Sequence, residues 1–164
     1  TAWERARRHG VDEAEIRRHR EARDARYQQL LVERDIEIPG VDRVLATLAD
    51  RYDMAIVTTA RRADFELIHA ERQIVHHMDF VLASGDYPRA KPAPDPYLTA
   101  LERFGAEPAQ AVVVEDSERG LRSAMAAGID CVVVASDFVR GQDFSGATAH
   151  IDSLDELPAV IASL

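Results

Sequence analysis

Ala111-Val112-Val113-Val114-Glu115-Asp116-Ser117, followed after one helical stretch by Gly128-Ile129-Asp130-Cys131-Val132-Val133-Val134, decides the fold. Short runs that are apolar throughout, with no polar alternation, fit strands of a parallel sheet buried on both faces. Between them the pattern predicts a helix from about Ser117, ended by Gly128. The same alternation extends outward in both directions. Met54-Ala55-Ile56-Val57 reads as a strand, residues 63–71 as a helix, and Phe80-Val81-Leu82 as a short strand. Asp95 as N-cap, with Pro96 in the first turn, opens a helix through Leu101 to Phe104. Upstream, Val41, Val44, Leu45 and Leu48 mark another helix. Downstream, Ala149-His150-Ile151 is a last short strand, and Ser153 with Glu156 forms a capping box before a final helix. Strand–helix alternation with apolar strands defines an α/β fold, a parallel sheet with helices on both faces.

Residues 1–37 follow a different pattern. They are rich in arginine and lack proline. Asp12 and Glu15 fit a capping box, and Ile16, Ala22, Tyr27, Leu30 and Leu31 continue at helical spacing. A helical pair is expected over about 2–9 and 13–33, its arginines forming a solvated face. The pattern changes at Ile38-Pro39-Gly40, so the chain divides into 1–37 and 38–164.

Composition narrows the function. Of 164 residues, 46% are apolar, enough for a continuous core. The net charge of −9 argues against nucleic acid or an anionic membrane as partner, because both require a cationic face. The single cysteine, Cys131, excludes an intrachain disulfide and a cysteine metal site, and its apolar run suits a buried thiol. No apolar stretch reaches the ~20 residues of a membrane span. Arg5, Arg7 and Arg8 lead into no apolar segment of the signal-peptide kind, so a cytoplasmic protein is expected. The histidines (His9, His19, His69, His76, His77 and His150) show no metal-ligand spacing.

Three features fall at or after strand ends, where open α/β sheets hold ligands. Thr58-Thr59 closes its strand, and a hydroxyl beside free backbone N–H groups can hold a phosphate oxygen; threonine also ends strands through propensity alone. Lys91 lies in Arg89-Ala90-Lys91-Pro92-Ala93-Pro94-Asp95, where two prolines stiffen the loop. It is the only lysine among 20 basic residues, and its compact charge suits an anionic nucleophile or phosphate; the alternative is an ordinary surface lysine. Glu115-Asp116-Ser117 places adjacent carboxylates at the end of a buried strand, where they repel each other and resist desolvation. A hard cation such as Mg²⁺ relieves both costs. Helix capping by Asp116 or Ser117 is the alternative, and Gly120 permits close backbone approach.

The order of these elements is more specific than any one of them. A strand ending Val57-Thr58-Thr59, then Lys91-Pro92 with Pro94-Asp95 and Tyr97, then Val113-Val114-Glu115-Asp116-Ser117 with Gly120, then Ala126-Ala127-Gly128-Ile129, resembles the haloacid dehalogenase superfamily. It is most similar to the branch with a helical cap, which includes phosphoglycolate-phosphatase-like and β-phosphoglucomutase-like enzymes. The resemblance covers about 38–164, and the helical pair resembles the rear part of the cap. It implies a Rossmann-like core and a Mg²⁺-dependent phosphomonoester hydrolase, acting on a small phosphorylated metabolite through a phosphoaspartate. In that frame Thr58 and Thr59 bind the phosphoryl group, and Lys91 neutralises charge between nucleophile and phosphate. Asp116, with Glu115 beside or behind it, holds Mg²⁺, while Arg61 and Arg62 reach toward substrate.

The family's first motif, Asp-x-Asp-Gly-Thr/Val at the end of a central first strand, does not occur in these 164 residues. Asp12, Asp24 and Asp35 sit in helical or polar contexts. A segment with that strand and the front of the cap is therefore expected upstream. Without it each orphaned backbone group of the open slot costs ~1–3 kcal/mol, the chain is expected to self-associate, and no hydrolysis by this route follows. A phosphosugar mutase of the same family and a catalytically silent binding protein are the alternatives. A receiver domain is excluded by order, since there the acidic pair comes first and the lysine last.

Overall fold

In the computed structural model the described residues are 2–34, 38–136 and 139–164. The expected boundary after 37, and Asp35, lie at residues 35–37, outside that set. Helices α1 (Ala2–Arg8) and α2 (Glu13–Glu33) form the helical pair. Then α3 (Val41–Ala49) leads into β1 (Ala55–Arg61), and α4 (Arg62–His69) with a 3₁₀ turn at Gln73–His77 leads into β2 (Phe80–Ser84). Next come α5 (Asp95–Phe104), β3 (Val112–Glu115), α6 (Glu118–Ala126) and β4 (Asp130–Val134). The chain closes with β5 (Ala149–Ile151) and α7 (Leu157–Ile161). Every strand pair is parallel, so the α/β, Rossmann-like expectation holds. Among the described residues no helix is long and apolar enough to cross a membrane.

The packing of strand β4 explains why Cys131–Val134 is apolar throughout. Successive side chains of a strand point to opposite faces. Cys131 and Val133 join Tyr97, Leu101, Leu121 and Ala124 beneath α5 and α6. Val132 joins Val44, Leu48, Ile151 and Leu157 beneath α3 and α7. Both faces are covered, so neither tolerates a polar residue.

Helix starts differ from expectation in detail. Asp95 is the first residue of α5 rather than its cap, and its carboxylate pairs with Arg89 instead. Asp12 caps α2 by accepting from the Ala14 N–H, which leaves Glu15 outside the cap. Ser153 and Glu156 form the expected box, but it opens the 3₁₀ turn Leu154–Glu156 that runs into α7.

The strands fall into two sheets, β1–β2 and β3–β4–β5, with no ladder between β1 and β3 among the described residues. Helix α5 spans the break: Tyr97 and Leu101 pack toward β3 and β4, while Ala100 packs on Phe80 and Leu82. The gap leaves its own trace in burial. No residue of β1 is fully buried, and Val114 is 39% exposed although its cross-strand partner Val132 is 0% exposed. Apolar strand surface is thus left wet where a parallel sheet is ordinarily covered.

The helical pair rests on this core through polar contacts. Over its length α2 buries only Ile16. Its attachment runs through Gln28, which donates to Asp64 Oδ1 at 2.9 Å, and Asp24, which accepts from Arg61 at 2.6 Å.

Candidate active site

The carboxyl ends of β1 and β3 open onto one pocket of about 400 Å³, lined by Thr58, Thr59, Lys91, Glu115, Asp116 and Arg119 among others. Sequence expectation placed Thr58, Thr59, Lys91, Glu115 and Asp116 at one site, and the fold brings all five together. Arg61 and Arg62 are not among the lining residues. Arg61 bridges Asp64 and Asp24, and Arg62 pairs with Asp86.

Lys91 forms the floor. Its Nζ donates to the Val57 carbonyl at 2.9 Å and to Glu115 Oε1 at 2.6 Å, and it lies 4.5 Å from the centre of the Tyr97 ring. The Lys91–Pro92 peptide is cis. The lysine and glutamate side chains are only 9% and 8% exposed, so the ammonium is a fixed charge rather than a roaming one.

Glu115 is enclosed by donors. Oε1 accepts from Lys91 and from the Tyr97 hydroxyl at 2.5 Å, and Oε2 accepts from Ser117 Oγ at 3.1 Å. Burial pushes its carboxyl up, but Lys91, Tyr97 and Ser117 together hold it below the usual range. The same burial, with Glu115 alongside, raises the Tyr97 hydroxyl, which stays protonated and donating. A Cβ on Gly120 would fall 1.9 Å from the Glu115 carboxyl carbon. Glycine is required here by space, because this carboxylate is held from several sides and has little room to yield.

Asp116 is the opposite case. It is exposed, and among the described residues its carboxylate has no hydrogen-bond or ion-pair partner. Ser117, not Asp116, caps α6, accepting from the Gly120 N–H at 3.1 Å. The two acids therefore differ in kind: Glu115 is satisfied by the protein, and Asp116 is free to bind. Mg²⁺ favours one or two carboxylates completed by water and phosphate, and the free Asp116 beside the negative Glu115 fits that demand.

The threonine end of β1 is fastened by residues the sequence reading assigned no role. Tyr87 donates to the Thr58 carbonyl at 2.6 Å, and Arg119 to Thr59 Oγ1 at 3.2 Å. Thr58 Oγ1 accepts from the Ala60 N–H at 3.1 Å, leaving its proton available. Tyr97 was findable from its spacing to Leu101 on one helix face; Arg119 offered no signal, being one arginine among many. Cys131 is buried, as its apolar run suggests, and burial pushes its thiol up to about 12.

Residues 4–134 match the haloacid dehalogenase-like hydrolases, and the chain belongs to that family. Protein CbbY of Rhodobacter capsulatus is 36% identical over 150 residues, covering 88% of this chain and 66% of the relative. Fructose-1-phosphate phosphatase YqaB of Escherichia coli K12 is 33% identical over 126 residues, covering 76% of this chain and 66% of that protein. The structure of CbbY from Rhodobacter sphaeroides in complex with phosphate aligns with a TM-score of 0.74 at 31% identity, over 88% of this chain and 65% of that one. The chain therefore spans about two thirds of the length of these relatives.

Proposed function

We propose that this chain is the greater part of a Mg²⁺-dependent phosphomonoester hydrolase for a small sugar phosphate, working through an aspartyl phosphate. The observation that carries this reading is the convergence of Lys91, Thr58, Glu115 and Asp116 on one pocket at the ends of β1 and β3. An extended segment seated between β1 and β3 completes the sheet and brings the nucleophilic carboxylate to the pocket floor. Its oxygen attacks phosphorus, the ester P–O bond breaks, and the leaving alkoxide takes a proton. Water then cleaves the acyl phosphate, releasing inorganic phosphate and restoring the carboxylate.

In this scheme Thr58 donates its hydroxyl proton to a phosphoryl oxygen, and Lys91 places positive charge between nucleophile and phosphate. Asp116 holds Mg²⁺, with Glu115 behind it fixing Lys91. The cation, when bound, offsets the charge of the phosphoryl oxygens. The substrate class follows the relatives, one named a fructose-1-phosphate phosphatase and one solved with xylulose-(1,5)bisphosphate.

The test is phosphate release from a panel of sugar monophosphates by the natural protein. Release requires Mg²⁺ and stops on chelation. Asp116→Asn, an exposed change that leaves folding intact by circular dichroism, lowers it on the order of a hundredfold or more. Full Mg²⁺-dependent release by Asp116→Asn, or no release from any phosphomonoester, overturns the reading.

A further inference from the structure

Away from the pocket the fold gathers three side chains that lie far apart in sequence. Asp42 stands in the first turn of α3, and His76 and His77 end the 3₁₀ turn Gln73–His77. His77 Nε2 lies 3.0 Å from Asp42 Oδ1, across 35 positions of chain. The His76 and His77 rings are 3.9 Å apart between centres. One ligand-capable atom from each of the three residues lies within 4.8 Å of the others. None of the three lines the candidate active site.

We propose that Asp42, His76 and His77 form a second metal site, for a borderline transition cation such as Zn²⁺. Two imidazoles with one carboxylate suit Zn²⁺, Ni²⁺ or Cu²⁺ and suit Mg²⁺ poorly, which separates this site chemically from Asp116. Zn–N and Zn–O bonds of about 2.0–2.2 Å put tetrahedral ligand atoms roughly 3.3–3.6 Å apart. The His77–Asp42 pair is already near that spacing. His76 closes the remaining distance by turning its exposed ring. His77 is 11% exposed and so held in place, whereas Asp42 is 56% exposed. The fourth position is open to water. The ion replaces the bond between Asp42 and His77 and ties α3 to the turn before β2.

The spacing of the six histidines along the sequence gives no hint of this site. Its third ligand comes from another element, and no local pattern encodes that.

The test is calorimetric titration of the tag-free natural protein with ZnCl₂, repeated with Asp42→Asn, His76→Ala and, as control, the exposed His19→Ala. All three substitutions lie on the surface. The expected result is a saturable event that excess Mg²⁺ does not displace. Asp42→Asn and His76→Ala weaken it by ten- to a hundredfold or more, and His19→Ala leaves it unchanged. Zinc at about a hundred times its Kd raises the Tm of the natural protein by roughly 5–10 °C and that of Asp42→Asn by far less. Absence of saturable binding, or binding that both ligand variants retain in full, overturns the proposal.

Discussion

Lys91 and Glu115 show how a residue can be legible in kind while its partner is not. The sequence presents two adjacent carboxylates whose repulsion calls for a cation, and Mg²⁺ is the natural expectation. In the fold, Lys91 itself, with Tyr97 and Ser117, supplies that relief for Glu115, while the Asp116 carboxylate has no partner among the described residues. The pairing crosses 24 positions, beyond the reach of any local pattern. Lys91→Ala strands a buried carboxylate, and breaking such a pair costs about 3–5 kcal/mol. Denaturant unfolding at pH 7 should show a loss of this order, with Lys91→Met/Glu115→Gln recovering most of it. The Glu115 pKa is depressed in the folded state. The pair's stabilisation is therefore complete above the ordinary carboxyl range and fades as pH falls through the lowered value. The deficit of Lys91→Ala accordingly shrinks in acid, and a deficit independent of pH would count against this pairing.

At the scale of elements, the sequence is most informative where one local rule decides. Fully apolar runs marked β3 and β4 as strands of a parallel sheet; β4 is covered on both faces, whereas β3 leaves Val114 exposed at the break. The cap of α5 slipped by one residue because Arg89 competes for Asp95, a contact outside the helix. Arg61 follows the threonines along β1, yet its guanidinium serves the joint between α2 and α4, where Asp64 is 4% exposed. Nothing near Arg61 in sequence indicates that joint, since Asp24 lies 37 positions away. The Arg61 hydrogen bonds hold the Asp64 carboxyl below its usual range. Its contribution is present above about pH 4 and is lost as pH falls through the depressed value. Limited proteolysis should therefore cut α2 first as the solution is acidified. Asp64→Asn should raise cleavage within α2 severalfold already at pH 7. Equal cutting of α2 in both proteins at pH 7 would remove this joint as the attachment.

The whole molecule is a sheet interrupted at its middle, with helix α5 as a splint across the break. Sequence reading anticipated an open central slot from the missing first motif. The described strands form separate ladders, β1–β2 and β3–β4–β5, and Val114 at the break is exposed. Unpaired strand edges are templates for association. A polypeptide of these 164 residues alone should sediment as larger species with rising concentration, and a strictly monomeric profile would argue that the slot is closed in solution. Lys91 has a further significance at this scale. It is the only lysine of the chain, and its ammonium touches β1 through Val57 and β3 through Glu115. An amine-directed acylating reagent then has one side-chain target in these residues, locked between the two halves of the sheet. The rate at which that nitrogen is labelled becomes a clock for the separation of the halves, readable by mass without any engineered probe.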